Sequence, residues 1–134
     1  MDRNAAATLI RNYFQSWLEQ DLDLFLSTMT MDVHVTECYG PVYVGEEEVR
    51  QWFTDWHAEE GNGKVTRWDI QRILFDEDQQ MAAIEWDFEC IYQGNQAGFL
   101  GASLIHFQEE KISSIQEYQM DREQYRPYGD HCGR

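Results

Sequence analysis

A change of hydrophobic period at Gly61-Asn62-Gly63 constrains this chain more than any other feature. Before it, large apolar residues recur every three or four positions; after it, they alternate. Ala6, Leu9, Ile10, Tyr13, Phe14 and Trp17 share one face of a predicted first helix. Asp21 is placed to cap a shorter second helix, with Leu22, Phe25, Leu26 and Met29 as its apolar set. Val33 and Val35 alternate with polar neighbours up to Gly40-Pro41, which predicts a strand stopped by a turn. A third helix follows Gly45. Glu46, Glu47 and Glu48 put negative charge in its first turn, where the helix dipole favours it, and Val49, Trp52, Phe53 and Trp56 form its buried stripe. Beyond the glycines, strands are predicted over residues 64–75, 81–92, 97–107 and 111–120, joined by turns short enough for consecutive antiparallel hairpins, one of them at Gly94-Asn95.

In the strand over 81–92, Ala82, Ile84, Trp86, Phe88, Cys90 and Tyr92 lie on one face, and Met81, Ala83, Glu85, Asp87, Glu89 and Ile91 on the other. Helices gathered ahead of a long meander define an α+β domain with helices over one face of the sheet. Strands this long twist, and a sheet covered on one side curls around its helices, leaving a hollow at the wide end. Residues 1–120 form a single domain in this reading. Residues 121–134 lose the alternation and read as a tail over the mouth of the hollow.

The charge narrows the partners. Ten Lys and Arg against 25 Asp and Glu leave −15, a field that disfavours nucleic acid and anionic lipid surfaces and that also keeps a protein soluble. Cys38, Cys90 and Cys132 cannot all pair within one chain and form no CxxC, which fits a reducing compartment. No apolar run of signal-peptide or membrane-span length is visible, so the cytoplasm is the expected location. No glycine-rich phosphate loop or metal-ligand cluster appears, so neither cofactor nor metal is expected. Glu85, Asp87 and Glu89, spread along one strand face, are expected in solvent or at an interface rather than on a metal.

Glu37 is in phase with Val33 and Val35, so it faces the interior if they do. A carboxylate among aromatic residues has a raised pKa and suits proton transfer; the plainer alternative is a rim residue paired with Arg67 or Arg126. His34 and His106 are out of phase with the interior positions of their strands and read as surface or interface residues. Cys38 falls on the face opposite Glu37 and lacks a facing histidine base. The rings of Trp17, Tyr39, Trp52, Trp56, Trp68, Trp86 and Tyr92 exceed what a domain this size needs for its core, so most are expected in the core and two or three at a ligand cavity, with Phe88 among the candidates.

The run Tyr13-Phe14-Gln15-Ser16-Trp17 followed by Asp21-Leu22-Asp23 resembles the first-helix signature of SnoaL-like (polyketide cyclase-like) proteins of the nuclear transport factor 2-like superfamily. Gly45 ahead of Val49 and Trp52-Phe53, and Lys111-Ile112 leading to Glu117-Tyr118, resemble it as well. The resemblance implies a cone-shaped fold, three N-terminal helices on a strongly curved antiparallel or mixed sheet, and a pocket for a small hydrophobic molecule. Aligned with the similar segment of ketosteroid isomerases, Glu37 falls on the proton-moving base and Tyr13 on the tyrosine that hydrogen-bonds the oxyanion. The protonated acid of that family falls near Ser103, a weaker donor. SnoaL-like proteins often carry a pocket residue where Glu117 stands, yet Ile112 and Ile115 are out of phase, leaving its face open. Tyr13 equally fits the helix stripe as a core residue. The family also implies a homodimer through the outer sheet face, where Leu100, Ala102 and Leu104 lie together. Three roles remain open: an acid/base enzyme acting on a small hydrophobic or cyclic carbonyl compound (isomerase-, cyclase- or dehydratase-like), a non-catalytic binder of such a compound, and a dimeric scaffold.

Overall fold

The computed structural model describes residues 1–59 and 61–129; Cys132 lies outside them. Helices α1 (Arg3–Glu19), α2 (Leu22–Ser27) and α3 (Gly45–His57) pack on a mixed sheet of β1 (Met29–Thr36), β2 (Val42–Val44), β3 (Lys64–Asp76), β4 (Met81–Tyr92), β5 (Asn95–Gln108) and β6 (Lys111–Met120). The strand order is β2-β1-β6-β5-β4-β3, with β1 and β6 parallel and the other neighbours antiparallel.

Local chemistry sets the helix ends. The Asp2 and Asp21 side chains accept from the backbone N–H of Ala5 and Leu24 and so cap α1 and α2. Glu48 Oε1 reaches back to the Val44 N–H at 2.9 Å, so one of the three predicted first-turn acids also satisfies a backbone donor at the start of α3. Met29, expected on α2, instead begins β1, because the helix stops at Ser27 and Thr28 turns the chain. The short β2 was not predicted; it pairs antiparallel with β1 beyond the turn at Gly40. Between β4 and β5 the turn is Gln93-Gly94, one residue earlier than expected, with φ of 50° and 79°. Two left-handed residues in succession suit a two-residue hairpin, and the glycine accepts the second without strain.

The sheet curves where its ladders slip. Thr66 and Gln71 are extra residues in β3 relative to β4, so the inward set passes from Val65 to Trp68 and Ile70 and then to Ile73 and Phe75. Ser113 is extra in β6, which brings both Ile112 and Ile115 inward despite their odd spacing. Each bulge bends its strand and adds twist. At one end, Ala6 and Ile10 of α1 meet Ala82, Ile84, Ile105, Phe107 and Ile112 in a filled core. At the other end side chains of the helices and the sheet surround the hollow.

Aromatic rings build the walls between these ends. Trp17 lies within 5.6 Å, centroid to centroid, of Phe25, Trp52, Phe53, Trp56 and His57, and is 4 % exposed. Trp17→Ala is therefore expected to cost about 3–5 kcal/mol in urea unfolding. A cost under about 1 kcal/mol would mean these rings do not hold α1 to α3. Gly101, opposite Trp86 across β4 and β5, lies beneath the indole, and a Cβ there would fall on the ring and 2.5 Å from the Tyr118 carbonyl.

None of residues 121–129 is among the residues that line the hollow, and residues 130–134 of the expected tail lie outside those described. Arg122 donates to Asp87, Glu89 and the Phe88 carbonyl, on the face of β4 opposite Trp86 and Phe88. Arg67 joins the same carboxylates and Asp69. The acidic strand face thus attracts arginines from β3 and from the chain's last stretch.

Candidate functional site

The hollow is a cavity of about 950 Å³. Its floor is made by Tyr13 and Trp17 of α1, Trp68 of β3, Trp86 and Phe88 of β4, Phe99 of β5 and Glu117 of β6. Its rim is made by Glu37, Cys38, Tyr39, Pro41 and Tyr43 around β2, by Glu48, Gln51, Trp52, Asp55 and Trp56 of α3, and by Tyr92, Gln93 and Asn95 at the β4–β5 hairpin.

Glu37 stands one residue past β1 and keeps the inward phase of Val33 and Val35, both fully buried. Its partner is neither Arg67 nor Arg126: the Tyr43 hydroxyl donates to Glu37 Oε1 at 3.0 Å. Burial raises the Glu37 pKa, and the Tyr43 hydrogen bond, which stabilises the charged form, opposes that rise. Glu117 shares the inward face of β6 with Ile115 and pairs across the ladder with Ser103. The surface it leaves uncovered is cavity wall. Burial, and secondarily the nearby Glu37 charge, push Glu117 up to about 8. Burial therefore raises both carboxyls that face the cavity, and at Glu117 the Glu37 charge adds to the rise.

Tyr13 is 1 % exposed and its hydroxyl has no hydrogen-bond partner among the described residues. Burial first, then Glu117, raise its pKa well above the ordinary phenol value, with the Trp17 indole pulling the other way and Glu37 adding a smaller rise. The indole N–H groups of Trp17, Trp52 and Trp68 are buried and unpartnered too. These four donors are buried in the cavity wall without a partner at full hydrogen-bond geometry, the Trp17 indole lying nearest the Tyr13 phenol, and each is a cost of packing the rings around the hollow.

Of the residues singled out in the sequence, Tyr13, Trp17, Glu37, Tyr39, Trp52, Trp56, Trp68, Trp86, Phe88, Tyr92 and Glu117 meet in this cavity. Ser103 does not line it; the buried hydroxyl accepts from Trp86 Nε1 at 2.9 Å and holds that ring in place. Cys38, expected on the opposite face, lines the cavity, because β1 ends at Thr36 and alternation stops at the turn. Burial pushes its thiol up to about 12, the reverse of what a nucleophile needs. His34 and His106 are exposed; His106 Nδ1 lies 3.2 Å from Ser114 Oγ. The sequence reading passed over Tyr43, Phe99 and the rim acids Glu48 and Asp55. Tyr43 sits on the short strand that went unread, and two acids seven apart on a helix look like any solvated face. Among the described residues no three His, Cys, Asp or Glu side chains are placed to hold a metal, and no helix is long and apolar enough to cross a membrane.

A cone of three helices on a curved, unclosed mixed sheet, hollow at one end, is the nuclear transport factor 2-like architecture. The SnoaL-like domain family matches residues 10–115, and the chain belongs to that family. Solved structures agree on the fold. An LEH-like epoxide hydrolase of M. tuberculosis is 12 % identical with a TM-score of 0.76, over 87 % of this chain and 84 % of that one. An NTF2-like protein of Anabaena variabilis is 20 % identical with a TM-score of 0.69, over 88 % of each chain. A protein of Catenulispora acidiphila with a ketosteroid isomerase-like fold, crystallised with trimethylamine, is 16 % identical with a TM-score of 0.70, over 85 % of each chain. No curated protein matches the sequence.

Proposed function

We propose that the cavity binds a small hydrophobic or cyclic carbonyl compound and moves a proton on it, with Glu37 as the acid/base. The observation that carries this reading is the unpartnered Tyr13 phenol lining the same cavity as two carboxyls, Glu37 and Glu117, that burial holds toward their protonated forms. In the step proposed, ionised Glu37 takes a proton from the carbon beside the carbonyl. The C–H electron pair becomes a carbon–carbon double bond as the carbonyl π pair moves onto oxygen, and the phenol of Tyr13 and protonated Glu117 donate hydrogen bonds to the enolate oxygen. Glu37, now protonated, returns the proton to carbon. Isomerisation, cyclisation and dehydration of carbonyl compounds can all begin this way.

The test is hydrogen–deuterium exchange at the α-carbon of cyclic ketones such as 2-tetralone in D₂O, followed by proton NMR, with a melting-temperature screen of ketones and lactones alongside. Wild type is expected to accelerate exchange above buffer and to melt higher with the compounds it exchanges. Absence of both would sink the reading. A rise in melting temperature without exchange selects the second reading, a non-catalytic binder, which the bond tying Glu37 to Tyr43 favours.

The outer sheet face supports a homodimer. Leu104 and Tyr118 are exposed on it with Met120, and the ladder sets Ala102 against Tyr118 and Leu100 against Met120. Sedimentation velocity is expected to give twice the chain mass; a monomer at high micromolar concentration contradicts this part. Free Cys38 and Cys90 support the cytoplasm as the compartment.

A further inference from the structure

The wide end of the cavity carries groups that the proton transfer does not use. Glu48 and Asp55 lie two turns apart on α3, with Trp52 and Trp56 on the same cavity-facing side. Tyr43 stacks on Trp52 at 4.7 Å and 13°, and Tyr92 packs on Trp56 at 5.5 Å. Acidic side chains therefore alternate with ring faces around the rim.

The lining holds four acids, Glu37, Glu48, Asp55 and Glu117, and among the described residues no Lys, Arg or His. Four arginines are engaged elsewhere: Arg67 and Arg122 on the outer face of β4, Arg72 with Glu85, Arg50 with Glu46. An anionic ligand would enter against like charge with no cation to meet it. A neutral one gains ring contact alone. An organic cation gains the ring faces and the carboxylates together. A solid core beneath acidic residues would make this rim an ordinary solvated surface. Here the floor holds an unpartnered phenol, Tyr13 at 1 % exposure, and Trp52, 9 % exposed, has an unpartnered indole N–H.

We infer that the ligand carries an organic ammonium group, seated at the rim between the Trp52, Trp56, Tyr43 and Tyr92 rings with Glu48 and Asp55 beside it. Its carbonyl end lies toward Tyr13; that half rests on the proton-transfer reading, whereas the ammonium subsite stands on the rim alone.

Choline, its uncharged isostere 3,3-dimethylbutan-1-ol and the anion 3,3-dimethylbutanoate test the subsite by tryptophan-fluorescence titration. Choline is expected to bind at least about tenfold more tightly than the alcohol, and the anion not to saturate. In the Glu48→Gln/Asp55→Asn double variant, choline is expected to fall to the level of the alcohol while the alcohol is unchanged, which also reports an intact fold. Trp56→Leu is expected to weaken choline more than the alcohol. Equal binding of choline and alcohol in wild type, no binding of either, or a choline advantage that survives both variants overturns the inference. None of the probes has a carbonyl with an adjacent C–H that wild type would exchange fast enough to register, so failure here leaves the ketone exchange standing, and failed exchange leaves this subsite standing.

Discussion

Glu117→Gln is expected to melt roughly 10 °C above wild type at pH 8.5 and close to wild type near pH 4.5. In the folded chain Glu117 holds its proton up to about 8; in the unfolded chain it releases it near the usual 4.5. Between those values the folded state binds the extra proton, so stability falls as pH rises and levels off above about 8. Each pKa unit corresponds to about 1.4 kcal/mol, which sets a ceiling of about 5 kcal/mol on the loss. Glutamine keeps the shape without the charge and removes that slope. The burial that raises Glu37 gives it a slope of the same sign, which remains in the variant. Thermal melts of both proteins from pH 4.5 to 8.5 check this. Parallel curves would mean that Glu117 is solvated when the protein is folded.

Glu37→Gln is expected to lower the rate of ketone α-proton exchange by about 10²–10⁴-fold, the usual contribution of a positioned general base. Binding of the same ketone is expected to change little, because glutamine can still accept from Tyr43 and fits the same space. A substitution that weakens binding and exchange equally would instead mark Glu37 as a support for the Tyr43 side of the rim. Tyr43→Phe separates the two roles. It removes the hydrogen bond that favours the charged form, so the Glu37 pKa rises and the exchange profile moves to higher pH, with the base still present.

The period of the apolar residues made most of this architecture legible, since helices and long hairpins write their faces directly into the sequence. It failed where the chain leaves its period without a glycine or proline to announce it. Ser113, Thr66 and Gln71 are unremarkable residues, yet each bulge flips the phase that follows. Ile112 and Ile115 therefore conflicted in the sequence, and the face of Glu117 stayed open. Cys38 was misplaced for a related reason, because alternation was extended past the last residue of β1.

The family resemblance placed a protonated acid near Ser103, and the absence of a carboxyl there was the main departure from the ketosteroid isomerase pattern. Pairing across β5 and β6 sets Ser103 opposite Glu117, so an acid reaches this part of the sheet from the neighbouring strand. No spacing within a single strand reveals that. The orphaned donors were equally unreadable, since whether a buried Trp or Tyr finds a partner depends on residues far away in sequence.

The proposed step needs Glu117 to keep its proton at neutral pH in the same cavity where Glu37 serves as the base. Carbon-13 NMR titration of the glutamate side-chain carboxyls reads this protonation, with Glu37→Gln and Glu117→Gln supplying the assignments. One carboxyl is expected to titrate near 8, to vanish in Glu117→Gln and to shift down in Glu37→Gln, as the neighbouring charge is removed. Titration of every glutamate in the ordinary carboxylate range would mean that the cavity holds no protonated acid at neutral pH and would rule out the proposed proton transfer.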